Sequence, residues 1–180
     1  MQRAGFHAAI LLAVLLASAA QDRDVYAEPS RPLQLGFLFE RHYGADLAAV
    51  EKRVAWISEY DLLVALHLER ASARKLDEIV TWRREGGSWD AITRRVGLRC
   101  GIYYVELPAE EQLPAPYSRP YLAWREHPGA DQRLTDEEVR EFVLLRALRD
   151  TCRLSAAEIA HLRAAGKSPR AIGTMPPSQP

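Results

Sequence analysis

The feature that most constrains the fold is an internal correspondence at a spacing of 80 residues. Leu68 aligns with Leu148, Glu78-Ile79 with Glu158-Ile159 and Arg83 with Arg163. Gly86 aligns with Gly166, Ser88 with Ser168, and Ala91-Ile92 with Ala171-Ile172. A shift of 29 gives a fainter third copy: Phe39 falls on Leu68, Glu40-Arg41 on Glu69-Arg70, Leu47 on Leu76 and Val50 on Ile79. The implied unit is an apolar helix, a polar turn, an amphipathic helix and a glycine stop. One such unit leaves an apolar face bare, so the copies must pack on one another. The matched glycine and serine set this pattern apart from chance similarity between Leu/Ala/Arg-rich helices.

Local signals fill in the units. Leu33–Tyr43 is a helix candidate with Gly44 placed to end it. Asp46 caps a segment in which Leu47, Val50, Val54 and Ile57 recur at helical spacing. Ser58, with Glu59 and Asp61 behind it, suits the next N-terminus. The run Leu62–Leu66 with Leu68 is apolar nearly all round and suits a buried helix or a buried strand; its Leu, Ala and Glu content favours helix. Leu76, Ile79 and Val80 mark a short helix closed by Gly86-Gly87. Ser88 then caps a helix with Trp89, Ile92 and Val96 on one stripe, ended by Gly97. Ile102-Tyr103-Tyr104-Val105 reads as one short extended segment. Five prolines between 106 and 133 exclude a long helix and predict a strap or linker. Thr135 with Glu138, and Ser155 with Glu158, are capping boxes. The expected fold is mainly α: short helices in two or three related helix-turn-helix-like units, with one short extended Pro/aromatic strap. Residues 33–172 form its single domain, 21–32 a flexible lead-in and 173–180 a frayed tail.

The N-terminus reads as an address. Arg3 precedes a stretch from Ala4 to Ala20 without Asp, Glu, Lys or Arg, dense in apolar residues from Ile10 to Leu16 and ending in Ala17-Ser18-Ala19-Ala20. This is the pattern of a cleaved signal peptide over residues 1–20, although a cut after Ala27 also fits. The alternative is an uncleaved anchor, for which the apolar core is short against the roughly 20 residues a span needs. No later stretch approaches that length. Removing Arg3 changes the balance of 24 basic and 24 acidic residues to 23 − 24 = −1. A neutral chain argues against bulk nucleic-acid coating. In an exported chain Cys100 and Cys152 are a disulfide candidate. Closing that loop would contribute about 4 kcal/mol in the chain-entropy model. The alternative is two buried free thiols. No CxxC spacing points to redox catalysis or zinc.

Several segments together carry a family resemblance. They are Arg41-His42-Tyr43-Gly44, Gly87-Ser88-Trp89 with Ile92, Tyr104-Val105, Pro116-Tyr117 with Tyr121 and Trp124, and Leu134-Thr135-Asp136 with Val139. In this order they resemble a family of exported bacterial helical proteins with an R-x-x-G-x-S-W-x-x-I core. The resemblance covers about residues 35–172 and brings no assigned activity with it. Ser118, Pro120 and Leu122 depart from the strap pattern P-Y-G-x-A-x-G-Y-W of that family.

The residues that could carry chemistry are sparse. His42, His67, His127 and His161 form neither H-x-x-x-H nor H-E-x-x-H. Glu158-x-x-His161 has the spacing of half a di-iron site, but no second copy exists, and a solvated helix face accounts for it. Cys152 and His161 could serve as nucleophile and base, with nothing marking an orienting group. There is no G-x-S-x-G elbow and no glycine-rich phosphate loop. Glu110-Glu111 reads as a solvated turn. Leu76–Val96 imitates a helix-turn-helix, with Arg94, Arg95 and Arg99 as its cations, but the Trp89 stripe faces inward and leaves few positions for bases. The candidate binding residues are Tyr103, Tyr104, Tyr117, Tyr121 and Trp124, as an aromatic surface for a peptide, glycan or protein. The alternative is that these rings fasten the strap over the core. No cofactor or metal is implied. The expected function is a noncatalytic exported binding or structural module with an envelope or extracellular protein as partner. The competing readings are a DNA-binding regulator and an envelope enzyme built from scattered carboxylates.

Overall fold

The computed structural model describes residues 33–108, 111–127 and 129–175. The expected signal peptide, the lead-in, Glu110 and tail residues 176–180 lie outside the described residues. Among those described the chain is mainly α, with nine α-helices, one 3-10 helix and no strand. The helices are α1 (Gly36–Arg41), α2 (Leu47–Val54), α3 (Glu59–Ala71), α4 (Leu76–Arg84) and α5 (Trp89–Arg95), then the 3-10 turn η1 (Cys100–Tyr103). They continue with α6 (Ser118–Glu126), α7 (Asp136–Thr151), α8 (Ala156–Ala164) and α9 (Pro169–Gly173).

Short polar side chains start most of these helices. Asp46 accepts from the Ala48 N–H (3.0 Å), Ser58 from Asp61 (3.1 Å), Ser88 from Ala91 (3.2 Å) and Ser168 from Ala171 (3.2 Å). Thr135 and Ser155 form complete capping boxes with Glu138 and Glu158. Each cap satisfies N–H groups that the first helical turn leaves open, for about 1 kcal/mol.

The spacing of 80 recurs in the backbone. Helices α4 and α8 each span nine residues and begin at 76 and 156; α5 and α9 begin at 89 and 169; α3 and α7 end at 71 and 151. Gly86 and Gly166 take φ of 92° and 79°, which favours glycine. In both turns the next N–H returns 3.0 Å to a carbonyl five residues back, Gly87 to Trp82 and Lys167 to Leu162. In both, an arginine reaches four residues forward over 2.9 Å, Arg83 to the Gly87 carbonyl and Arg163 to the Lys167 carbonyl.

Helix α7 lies at the centre, packed against α1, α3, α5, η1, α8 and α9. Its closest neighbour is α3. Leu62, Leu63, Val64, Ala65 and Leu68 of α3 are wholly buried, as are Val139, Phe142–Leu145, Ala147 and Leu148 of α7. Leu62–Leu68 lies within α3 and is helix rather than strand, and a helix apolar nearly all round must be enclosed.

Three expectations need correction. Residues 100–103 form a 3-10 turn, and the backbone becomes extended only at Tyr104. The strap contains a nine-residue helix, α6, because Pro120 occupies its first turn, where a missing N–H breaks no intrahelical bond. Cys100 and Cys152 are free thiols, not a disulfide. Cys100 sits in η1 with Sγ 3.9 Å from the Ala130 carbonyl and with Asp131, Asp90 and Arg94 as its charged surroundings. Cys152 caps the far end of α7, where Arg41 is its charged neighbour. The two thiols share none of these surroundings.

Candidate functional site

Two residues of the R-x-x-G-x-S-W-x-x-I motif, Arg83 and Trp89, converge on one buried carboxylate, Asp61. Trp89 Nε1 donates to Asp61 Oδ1 at 2.7 Å. Arg140, from α7, donates through Nε to Oδ1 (2.7 Å) and through Nη2 to Oδ2 (3.0 Å). Arg83 Nε lies 3.5 Å from Oδ1, and its guanidinium sits 5.0 Å from the centre of the Trp89 ring. Arg83 also pairs with Asp136 at 2.5 Å, and Asp136 accepts the Trp89 backbone N–H at 2.8 Å. Burial alone would raise the Asp61 pKa. The Arg140 hydrogen bonds, the Trp89 N–H and the Arg83 charge outweigh it and hold the carboxyl below its ordinary value.

A second carboxylate repeats the pattern 80 residues on. Glu141 accepts from Arg163 Nη2 at 2.6 Å and Nε at 3.3 Å, and from the Tyr117 hydroxyl at 2.8 Å. Asp61–Arg83 and Glu141–Arg163 therefore stand at the same spacing as the glycine and serine pairs. Asp61, Arg140 and Glu141 were not singled out as candidates from sequence. The signal that could have found them is an acid at both 61 and 141 on helices otherwise read as apolar.

Four of the five aromatic candidates cluster with a further ring, Phe142, which sequence reasoning missed. Tyr104 stacks on Trp124 at 4.6 Å and meets Tyr121 and Phe142 edge-on at 5.0 and 5.1 Å; Tyr117 stacks on Phe142 at 5.8 Å. Tyr103 stands apart, its hydroxyl 2.5 Å from Thr93 Oγ1 and its ring 5.7 Å from His67. The Tyr121 hydroxyl holds Val105 from both sides, accepting its N–H at 2.9 Å and donating to its carbonyl at 3.2 Å. Tyr103, Tyr104, Tyr117 and Tyr121 are buried, and only Trp124 is partly exposed. The rings thus fasten the strap to α7 and do not present an open aromatic surface; an apolar ring lowers its free energy most by leaving water.

His67 is buried beneath η1, with Nε2–H donating 3.3 Å to the Ile102 carbonyl. Burial and the nearby Arg146 lower its pKa from 6.5 to about 4. Between those values the unfolded chain takes up a proton that the folded chain refuses, so stability rises with pH there and is lost on acidification. The full effect is about 3 kcal/mol. The wild-type melting temperature should fall between pH 6.5 and 4, and His67→Gln, which retains a donor for Ile102, should flatten that fall; an unchanged slope would exclude His67 as its source. His42 is lowered in the same sense by burial, with Asp150 opposing.

Two of the three helix-turn-helix cations, Arg94 and Arg95, are otherwise engaged. Trp89, Ile92 and Thr93 of α5 are buried. Arg94 pairs with Asp90 at 3.2 Å and Asp131 at 2.8 Å, and Arg95 lies 4.1 Å over Trp82. His161 and Glu158 share an open hollow along α8 of about 540 Å³ with Leu154, Leu162 and Met175. A second hollow, of about 440 Å³, lies at the strap between Glu111, Leu113, Tyr121 and Arg125. Among the described residues no group of three His, Cys, Asp or Glu side chains is arranged to hold a metal ion. None of the helices there is long and apolar enough to cross a membrane. No protein-family model, no curated protein and no solved structure matches this chain.

Proposed function

We propose that this chain is an exported, noncatalytic helical module of two related units that acts by binding an envelope or extracellular protein. The observation that carries this reading is how the interior charges are used. Asp61 and Glu141 are each saturated by arginine and aromatic donors. A carboxylate whose oxygens are taken up by several donors serves poorly as a proton shuttle and well as a tie between helices. The equal spacing of Arg83–Asp61 and Arg163–Glu141 supports duplication of one unit. The signal-like N-terminus and the family resemblance support export. The regulator reading has less support, because the inward side of α5 and the ion pairs of Arg94 leave few groups for bases.

An intact mass of the protein isolated from its native cell tests the first half of this reading. The expected mass lacks residues 1–20 or 1–27, and a full-length mass would overturn cleavage. Affinity capture from the envelope fraction tests the second half. One protein should be enriched in stoichiometric amount; recovery of DNA fragments in its place would favour the regulator.

A further inference from the structure

Half-buried arginines in this fold meet carboxylates, with two exceptions. Arg53, Arg83, Arg140, Arg149 and Arg163 each pair with an aspartate or a glutamate. Arg125 and Arg146 have no such partner among the described residues. Arg125 lies at the edge of the strap and donates 2.8 Å to the Pro108 carbonyl. Arg146 differs from it: Nη2 donates to the Tyr104 carbonyl, while Nε is buried with no acceptor. An arginine in the last turn of a helix complements the dipole, as Arg70 does on α3 and Arg149 on α7. Arg146 lies further inside α7, where that effect has faded, so the dipole does not account for it.

Other groups at this end of the molecule are equally short of partners. The Tyr43 and Thr151 hydroxyls are buried without a hydrogen bond, so three of the four such side-chain atoms among the described residues are found where α1 and α3 end beside α7. Arg70 lies over the Tyr43 ring, 5.4 Å from its centre. The charges of Arg70, Arg146 and Asp150 all reach the Tyr43 hydroxyl. Asp150 does not neutralise Arg146, since Arg149 holds it at 2.7 Å and its other neighbour is His42 Nδ1 at 3.9 Å. A guanidinium N–H and two hydroxyls are thus buried beside surplus positive charge with nothing to receive their protons, and a buried donor left so is costly.

We propose that Arg146 and Tyr43 hold the carboxylate of a small monoanionic ligand, which enters past the exposed Arg70. The ligand's oxygens supply the acceptors that Arg146 Nε and the Tyr43 hydroxyl lack, the partner that the other inward arginines find within the chain. Charge-assisted bonds of this kind are the strong ones. Arg70 rests its face on a ring and keeps its in-plane N–H donors free, so it can close over the bound anion. Asp150 at the rim repels a dianion, which selects a carboxylate over phosphate. This site is separate from the protein partner proposed above, and its failure leaves that reading intact.

The test follows the amide resonances of the full chain in mildly alkaline buffer against sodium acetate, with sodium chloride at equal ionic strength as the reference. Acetate should shift the resonances of Tyr43, Arg146 and Thr151 with half-saturation in the millimolar range, and inorganic phosphate should bind more weakly. Tyr43→Phe keeps the ring beneath Arg70 and removes only the hydroxyl. No group of the chain bonds that hydroxyl, so the variant should melt at or above the wild-type temperature. It should nevertheless bind acetate about tenfold more weakly, the ratio that a lost hydrogen bond to a charged group implies. Arg146→Met should abolish the acetate shifts, and if it does not fold, Tyr43→Phe decides alone. Acetate shifts no larger than those of chloride overturn the proposal, as do phosphate binding of equal strength and a Tyr43→Phe titration that matches the wild type. Shifts scattered over the exposed arginines would mean an adventitious ion only, and overturn it too.

Discussion

Replacing Trp89 with alanine should lower the unfolding free energy by about 3–5 kcal/mol. The indole is completely buried, so the substitution leaves a cavity that its neighbours cannot fill. It also removes the only indole donor to Asp61 and the ring beneath the Arg83 guanidinium. Trp89→Phe separates the two contributions. It keeps most of the apolar volume and loses the Nε1–H bond, at a cost of about 1–3 kcal/mol for the weakened satisfaction of a buried acid. Urea denaturation followed by circular dichroism measures both. A transition unmoved by Trp89→Ala would place the ring outside the core. The position 80 residues on is Pro169, which opens α9 and is also buried but offers no donor. The equivalent acid, Glu141, takes its aromatic bond from Tyr117 instead.

Asp61→Ala should be as damaging, at about 3–5 kcal/mol, because it leaves the Arg140 guanidinium and the Trp89 indole N–H without their acceptor and Arg83 with only Asp136 and the Gly87 carbonyl. The Asp61 side chain is 11% exposed and Arg83 16%, so water can replace little of what is lost. Arg140→Met removes the opposite partner. The double variant Asp61→Leu/Arg140→Met should recover part of the loss, since neither buried charge then lacks its partner. A double variant no better than the sum of the single ones would show that Arg140 and Asp61 act independently. The Asp61 pKa is held down in the folded state, so its stabilisation is complete above the ordinary carboxylate range and fades as pH falls through the folded value. Loss of stability on acidification should therefore begin in the range of His67 and His42 and continue through that of Asp61.

Local chemistry made most of the helices legible. Asp46, Ser58, Ser88, Thr135, Ser155 and Ser168 all carry caps that can be read from a few adjacent letters, and Gly86 and Gly166 mark turns for the same reason. The 3-10 turn at Cys100 and helix α6 were hidden, because proline and aromatic residues there satisfy tertiary contacts that no local pattern announces. The charged hub was hidden more deeply. Arg140 meets Asp61 across 79 positions, and Arg83 meets Asp136 across 53. Nothing in helical periodicity says which of 21 arginines will turn inward. Four of the aromatic candidates pack with Phe142 and Tyr103 does not, and Phe142 lies in an apolar run where one ring among leucines carries no mark. The cysteines illustrate the opposite error: a count of two suggests a bond, whereas bonding requires both side chains to share surroundings.

The distance in sequence between Asp61 and Arg140 sets an order of events during synthesis. A chain emerging N-terminus first presents Asp61, Arg83 and Trp89 well before Asp136 and Arg140 exist to complete their contacts. Until then the nascent first half holds a half-neutralised acid and an indole whose cavity lacks a wall. The early half must wait, partly open, for the later helices α7, α8 and α9 to complete its contacts. A chain released before residue 140 would therefore hold Asp61 with Arg83 and Trp89 alone.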